Sequence, residues 1–477
     1  MAYNKFMDRV GNVLLDLTDD TVTENDVLLG KTFHDKTGVQ KIGAMSPSSE
    51  GSEAISDDKV NFFDYDGTLI ASYTVEEAQQ LTALPPLPDH TDDNLTCEGW
   101  TETLEFVNSL TRPFNIGATY HTTDGYTYLY MALYDPNNLS PKIRIYNVGG
   151  TITIYWGDGS NTESSTTGLN SLQHTYSTTG EYVIKIISTG NYYFQGSNSS
   201  SSYSFGPNIA YQNGITKAKL SNQITKFNGY DFYYCYSLEY INVPNSVTSI
   251  GGSVFYQCYT LKALTLPNNA NKVIQSYFLQ SCYLLSKINI PSSINTIGNS
   301  AFYGCRMLSN VTLPDGLVAI NSGAFGGECS LLKNIVIPDS VSAIESGCFA
   351  SAKILKRLII PNGVTVIRSN LLYYCAELES VTIPNSVTAI EYDAMKYCYS
   401  LESIVIPNSV TSIGNSAFYQ CYNLKEVDLT SFETVPALGT SVFYMCAKLK
   451  LKISSDMIEQ FRTAPNWSTW AHMMVSV

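Results

Sequence analysis

The sequence predicts a mainly β, multidomain protein that ends in a long solenoid. Three patterns support this: a repeat of 23 or 24 residues in the second half, alternating apolar positions between 140 and 189, and turn pairs such as Asp66-Gly67. The predicted parts are an N-terminal helix and hairpin (1–45), a β-grasp-like module with a connector (52–139), a β-sandwich (140–195) and a solenoid with a C-terminal cap (205–477).

The repeat reads L-x-x-I-x-I-P-x-x-V-x-x-I, followed by F-x-x-C. With an atypical first copy around Ser221 there are ten copies from about 218 to 453, and the prolines that end the strand segments are Pro244, Pro267, Pro291, Pro314, Pro338, Pro361, Pro384 and Pro407. A unit this short cannot bury its own apolar face, but stacked units can. The pattern resembles the BspA-like leucine-rich repeats found in bacterial surface proteins and in some phage and protist proteins. The resemblance implies a solenoid with a parallel sheet on one face.

Nine of the eleven cysteines share one repeat position, and Ala352 takes that position in the remaining copy. The nine are Cys235, Cys258, Cys282, Cys305, Cys329, Cys375, Cys398, Cys421 and Cys446. A column at this spacing predicts a ladder of small buried thiols rather than disulfides or a metal site. We therefore expect no metal and no cofactor.

The end segment departs from the repeat period. Its apolar residues are predicted to cover the last coil, as a solenoid requires, and they are Met457, Ile458, Phe461, Trp467 and Trp470.

The stretch 140–189 alternates apolar and polar residues in several runs, which indicates strands. Its W-G-D-G, H-T-Y and G-E-Y motifs resemble the polycystic-kidney-disease (PKD) domain, an immunoglobulin-like sandwich. The resemblance makes His174 a structural residue. Asp158 is expected to be a turn carboxylate, with a calcium ligand as the alternative.

The stretch "VNFFDYDGTLIASYT" at 60–74 looks like the start of a haloacid-dehalogenase phosphatase, with Asp64 and Asp66 as its carboxylates. Such an enzyme needs a parallel α/β sheet of well over a hundred residues, and the neighbouring segments leave no room for it. The stretch instead resembles the Listeria–Bacteroides (internalin B-type) repeat, a β-grasp module with a Gly-Trp pair near its end, here Gly99-Trp100. Asp64 and Asp66 are then turn residues, and we predict no catalytic residue.

At the N-terminus, Phe6, Val10, Val13, Leu14 and Leu17 fall on one face of a predicted helix, and a hairpin is predicted to turn at residues 35–38. The segment "DVLLGKTFHDKTGVQKIGAM" resembles tail proteins of phages and prophages of Gram-positive bacteria. The order of the four parts also resembles phage minor tail proteins. This resemblance implies that residues 1–45 dock onto other tail or baseplate proteins.

Composition limits the function classes. The formal net charge is -14, with 28 basic against 42 acidic residues, which excludes a role in coating nucleic acid. The first twenty residues lack the apolar core of a signal peptide, and no run approaches the roughly 18 apolar residues of a membrane span. We therefore expect neither export by the standard route nor membrane insertion.

The expected function is that of a phage tail fibre or receptor-binding protein, made in the host cytoplasm and located in the virion tail. It would bind a cell-surface glycan or protein through the solenoid, without chemistry and as a homo-oligomer. One alternative is a bacterial cell-surface adhesin, which would need an export signal and an anchor. Another is a surface-glycan depolymerase, which would need paired carboxylates that the repeats do not offer.

The predicted receptor site lies on the outward strand positions of copies six and seven. An apolar centre with a basic rim is expected there, formed by Lys333, Val336, Lys356, Arg357 and Ile359. Such a surface suits an anionic wall polymer or an acidic protein. The second choice is the group of tyrosine-rich turns represented by Tyr233, Tyr234 and Tyr236.

Overall fold

The computed structural model of the chain describes residues 58–196 and 213–477, and the backbone of four short strands before them. The chain divides into two units, residues 1–55 and 56–477, and each is described by itself.

The N-terminal unit contains two antiparallel hairpins, with strands at Lys5–Met7, Val13–Asp16, Thr32–His34 and Gln40–Ile42. The second pair joins Thr32 with Ile42 and His34 with Gln40, in the place of the predicted hairpin, whose turn at 35–38 lies outside the described residues. The helix predicted over the first 17 residues is wrong, because Lys5 pairs with Asp16 in an antiparallel register. Antiparallel pairing of these two segments thus outweighs the helical spacing of their apolar residues.

The first part of the larger unit is a four-stranded sheet with two short helices; we call residues 58–122 the docked module. Its strands are Val60–Phe63, Leu69–Tyr73, Leu95–Trp100 and Asn115–Thr122, and its helices are Val75–Gln79 and Leu104–Ser109, with a 3-10 turn at Thr91–Asp93. Asn115–Thr122 is central: it pairs parallel with Val60–Phe63 and antiparallel with Leu95–Trp100. Thr74 and Glu77 cap the first helix reciprocally, as in a capping box.

Two sheets follow and enclose a core that includes Ile143, Ile154, Trp156 and Ile184. Their strands are Thr127–Leu133, Lys142–Asn147, Ile152–Tyr155, Asn161–Ser164, Gly168–Gln173, Gly180–Ser188 and Tyr192–Phe194. The predicted boundary at 139/140 is displaced, because Thr127–Leu133 pairs antiparallel with Gly180–Ser188 and so belongs to this two-sheet unit. Its alternation of tyrosine with apolar residues suits a half-buried strand.

The solenoid has two ladders of short parallel strands, each divided into several separate sheets, and the backbone at 310–312 and 334–336 continues the first ladder without an assigned strand. The first, on the strand face, contains Asn213–Lys219, Tyr240–Ile241, Ala263–Leu264, Lys287–Ile288, Arg357–Ile359, Ser380–Thr382, Ser403–Val405, Glu426–Asp428, Lys450–Ile453 and Met474–Ser476. The second contains Lys226–Phe227, Ser249–Ile250, Val273–Ile274, Thr296–Ile297, Ala319–Ile320, Ala343–Ile344, Val366–Ile367, Ala389–Ile390, Ser412–Ile413 and Ala437–Leu438. The V-x-x-I segment is therefore a strand as well as the predicted turn.

The cysteine column is buried as predicted, and its thiols are free. The Cys305 thiol donates to the Leu279 carbonyl at 3.2 Å, and the Cys329 thiol donates to the Phe302 carbonyl at 3.1 Å. Each thiol thus reaches back one copy. Burial raises the pKa of Cys329 to about 12, so this thiol stays protonated and unreactive at neutral pH.

The C-terminal segment closes the stack with a helix at Ile458–Thr463 and a 3-10 helix at Ser468–Met473. The predicted cap is confirmed, since Phe461 and Trp467 are fully buried against the last coil. The Trp467 indole also donates to the Pro436 carbonyl at 2.7 Å.

The docked module packs on the strand face of copies one to five, which the sequence did not predict. The outward positions Asn242, Ala263, Thr265 and Asn289 are consequently buried rather than exposed. Asn115 donates its backbone N–H to the Thr312 hydroxyl at 2.9 Å, and the Glu102 carboxylate accepts from the Ser292 N–H at 2.8 Å. No repeated sequence pattern marks these long-range contacts.

We predict that Gly117→Ala weakens this docking by about 1–3 kcal/mol, because an added methyl would lie 2.6 Å from the Thr265 side chain. Thr265→Ala removes the two closest atoms and is expected to rescue part of the loss. A double-mutant cycle of urea midpoints measures the coupling. Strictly additive effects would show that residue 117 does not approach Thr265.

We also predict that Cys305→Ser destabilises the solenoid by roughly 1–3 kcal/mol, since a hydroxyl then occupies an apolar stack. Cys305→Ala is expected to cost less, because Ala352 fills the same position in another copy. Thermal unfolding of both variants provides the measurement. A larger loss for alanine than for serine would argue that the thiol acts mainly as a donor.

Candidate functional site

The strand face changes character where the docked module ends. The outward position between the two buried strand residues is occupied by Asn242, Thr265, Asn289 and Thr312 in copies two to five, and all four are buried. In copies six to nine the same position is Val336, Ile359, Thr382 and Val405, where the three aliphatic residues are 58%, 68% and 61% exposed. We call the uncovered half, with its flanking residues 333–334, 356–357, 380 and 403, the open strand face.

The covered half of the strand face is polar because its asparagine side chains form hydrogen bonds with main-chain groups. The Asn242 side chain donates to the Tyr120 carbonyl at 2.8 Å and accepts from the Leu220 N–H at 2.7 Å. Asn289 accepts from the Leu266 N–H at the same distance of 2.7 Å. Buried amides of this kind need such partners. The aliphatic side chains of the open strand face have no comparable cover among the described residues.

All five predicted receptor-site residues lie on the open strand face. Lys333 and Arg357 are exposed and form no ion pair with any residue in 58–196 or 213–477. Lys356 instead donates to Glu379 at 2.9 Å, and this contact raises the pKa of Lys356 and lowers that of Glu379. The basic rim is therefore weaker than predicted, because two of its three cations rather than all three stand outside the ion pairs of the described residues.

The carboxylates beside this face are separated by their lysine partners. Glu379 contacts Lys356, and Glu402 accepts from Lys425 at 2.8 Å. A glycosidase needs one carboxyl group with a raised pKa to act as the acid, whereas the pKa of Glu379 is lowered. Glu379 therefore lacks the raised pKa of such an acid.

A second exposed surface lies at the F-x-x-C turns of copies seven to ten. We call it the tyrosine edge, and it comprises Tyr373, Tyr374, Tyr392, Tyr397, Tyr399, Tyr419, Tyr422 and Tyr444. Tyr392, Tyr422 and Tyr444 are 55%, 43% and 46% exposed. At the other end of the solenoid, the predicted second-choice residue Tyr233 stacks on Tyr256 at 4.7 Å.

Asp66 and Asp64 have structural roles in the docked module. The Thr68 N–H donates to Asp66 at 2.8 Å, and Gly67 adopts a φ of +89°, as a tight turn requires. Asp64 is buried, accepts from the Tyr65 N–H at 2.7 Å and contacts the His90 ring. The His90 contact was not predicted, because no local motif joins the two residues.

Cys97, Tyr120 and His90 cluster near Asp64, but the cluster lacks an activated nucleophile. Burial raises the pKa of the Cys97 thiol, and burial together with the charge of Asp64 raises the pKa of Tyr120. A thiolate nucleophile requires the opposite shift. Rings of Tyr65, Tyr120 and His90 pack edge to face within 5.6 Å, so the cluster holds the 90–93 turn on its sheet.

His174 has a structural role as well. Its ring stacks on Trp156 at 5.1 Å, and its Nε2 lies 2.7 Å from the Asp158 carboxylate. Hydrogen bonds from Ser160, with a contribution from His174, lower the pKa of Asp158 to about 2. Asp158 is therefore a turn carboxylate that pins the neighbouring strands.

Comparison with known proteins identifies the family to which the repeats belong. A protein-family model for the BspA type leucine-rich repeat region matches residues 170–284, 203–331, 272–402 and 318–450, which together span more than half of the chain. The chain belongs to the BspA-type leucine-rich repeat family. No curated protein matches the sequence.

Similar solved structures include other leucine-rich repeat proteins. One from Bacteroides ovatus is 24% identical over 55% of this chain and 84% of its own, with a TM-score of 0.32. A leucine-rich cell surface protein from Faecalibacterium prausnitzii is 24% identical over 54% and 81%, with a TM-score of 0.32. A Treponema pallidum leucine-rich repeat protein is 23% identical over 50% and 82%, with a TM-score of 0.26.

Membership of the BspA-type family confirms the predicted repeat class. The comparisons give no support to the phage-tail, PKD or internalin-type resemblances, and the adhesin alternative fits this family better than the tail-fibre expectation does. Among the described residues, no helix is both long and apolar enough to span a membrane.

We predict that the full chain releases no p-nitrophenol from p-nitrophenyl phosphate in the presence of Mg²⁺. Both oxygens of Asp64 are already engaged, and Asp66 caps a turn. Absorbance assays of the wild type and of Asp64→Asn should both match the buffer blank. Turnover in the wild type that Asp64→Asn abolishes would contradict the structural role of Asp64.

Proposed function

We infer that the protein is an adhesin-like recognition protein that binds a protein partner through the open strand face and catalyses no reaction. Membership of the BspA-type family supports this proposal, because such repeats resemble those of bacterial surface proteins. The observation that carries it is a change at one repeat position: copies two to five have buried Asn or Thr there, whereas later copies have the exposed residues Val336, Ile359 and Val405. Folding alone does not require aliphatic residues at an uncovered position.

The partner is a protein because the open strand face has the wrong chemistry for sugars. Three of the four residues in its central column are aliphatic, the fourth is Thr382, and none is an aromatic ring on which a sugar could stack. Lys333 and Arg357 lie beside Val336 and Ile359, which favours an apolar partner surface flanked by carboxylates. The strands pair laterally within the solenoid, so the partner must pack on the sheet face as the docked module does.

The proposal predicts that Val336→Ser with Ile359→Ser lowers the binding of full-chain-coated beads to intact bacterial or animal epithelial cells by about tenfold or more, because buried aliphatic contacts are lost. Val318→Ser is the matched control, since Val318 is 48% exposed but lies beside the second ladder. Flow cytometry measures bound beads, and an unfolding curve checks each variant.

Equal binding by the double variant and the wild type would exclude the open strand face. Antibody against the solenoid should label the surface of intact producing cells. Antibody labelling of phage particles, without labelling of the producing cells, would contradict the adhesin proposal and favour the tail-fibre expectation.

A further inference from the structure

Every solenoid copy places the residue before its column cysteine or Ala352 in the left-handed region, with φ between 57° and 74°. Gly304 occupies this position in copy four without penalty, whereas tyrosine occupies it as Tyr234 in copy one and as Tyr374 and Tyr397 in copies seven and eight. A non-glycine residue in this conformation costs about 1–2 kcal/mol. The fold therefore accepts glycine at a position where these three copies carry a large ring.

The surrounding tyrosines extend Tyr374 and Tyr397 into a row. Tyr399 stacks on Tyr422 at 5.3 Å and Tyr419 on Tyr444 at 5.0 Å, each pair joining adjacent copies. Tyr374 and Tyr397 join the row through edge-to-face contacts with Tyr399 and Tyr419 at 5.7 Å and 5.9 Å. The rings of adjacent copies consequently follow one another along the solenoid at centroid distances of 5.0 to 5.9 Å.

The charges at this edge are mutually compensated. Lys396 contacts Asp393 at 3.3 Å and lies over the rings of Tyr397 and Tyr419 at 5.3 Å and 5.1 Å. Lys353, which faces Tyr374, contacts Glu328 at 3.6 Å. The edge thus lacks the surplus charge that a polyanion would need.

We propose that the tyrosine edge binds a neutral linear polysaccharide, as a site separate from the open strand face. A ligand that repeats along one axis matches a surface that repeats along one axis, and many weak contacts then add up. Aromatic rings contact the apolar faces of sugars, and phenol hydroxyls exchange hydrogen bonds with sugar hydroxyls. Tyrosine offers this mixed surface at low entropic cost.

The test is affinity electrophoresis of the full chain in native gels containing soluble neutral glucan, xylan or mannan, with polygalacturonate as the anionic comparison. Wild-type protein is expected to be retarded by at least one neutral polymer and not preferentially by polygalacturonate. Tyr374→Gly with Tyr397→Gly should raise the dissociation constant for the retarding polymer at least about tenfold. The melting temperature of this variant should stay within a few degrees of the wild type, because glycine relieves the left-handed backbone strain.

Tyr392→Ser with Tyr422→Ser is the second variant, because it changes exposed rings without altering a left-handed position. The serine substitutions Val336→Ser and Ile359→Ser should leave retardation unchanged, which separates this site from the proposed adhesive one. Failure of every neutral polymer to retard the wild type would overturn the proposal. Unchanged retardation of both tyrosine variants would overturn it too, as would preferential retardation by polygalacturonate.

Discussion

The structure depends on one constraint: a coil of 23 or 24 residues cannot cover its own apolar side chains. Each coil relies on a neighbour, so the two end coils need cover of another kind. At the C-terminal end this is Phe461 and Trp467, and at the N-terminal end it is the two-sheet unit, whose Leu129 and Met131 belong to the same continuous core as the repeats. The two-sheet unit is therefore a cap as well as a domain.

The docked module adds a second level of organisation, because it divides one strand face into two halves with different chemistry. Main-chain atoms of the module meet Asn and Thr side chains, and Gly117 permits the closest approach. Arg112 contacts Asp315 at the edge of the module. In the two copies beyond this edge, the repeat position that holds Asn or Thr under the module holds Val336 and Ile359. The position of the module thus covers the strand face of copies two to five and leaves that of copies six and beyond uncovered.

Features with a repeating or local signal could be predicted from the sequence, and features that rest on single long-range pairings could not. The cysteine ladder and the C-terminal cap followed from spacing and apolar content. The membership of Thr127–Leu133 in the two-sheet unit, the docking of the module and the contact of His90 with Asp64 each join segments with no shared motif. The N-terminal helix was mispredicted because the helical spacing of the apolar residues is a local signal, whereas the antiparallel pairing of Lys5–Met7 with Val13–Asp16 joins two separate segments.

The candidate site was also only partly accessible to prediction. The exposure of Val336 and Ile359 followed from strand alternation. The neutralisation of Lys356 was readable in principle, because Glu379 occupies the same repeat position one copy later, 23 residues along the chain. The tyrosine edge required backbone angles, since only these show that Tyr374 and Tyr397 stand at a left-handed position where glycine fits without strain.

Strand Asn213–Lys219 has a mechanical consequence. It pairs antiparallel with Thr127–Leu133 on one side and parallel with Tyr240–Ile241 on the other. The chain enters this antiparallel pair at residue 127 and leaves it after residue 219, and both ends lie at one edge because Lys219 pairs with Tyr128. A pull that spreads these two ends apart would break the antiparallel hydrogen bonds one after another, whereas a pull along the strands would load them together in shear. Such a joint is strong in tension along the strands and weak to peeling across them, and the direction of loading would decide how long an attached molecule stays in place.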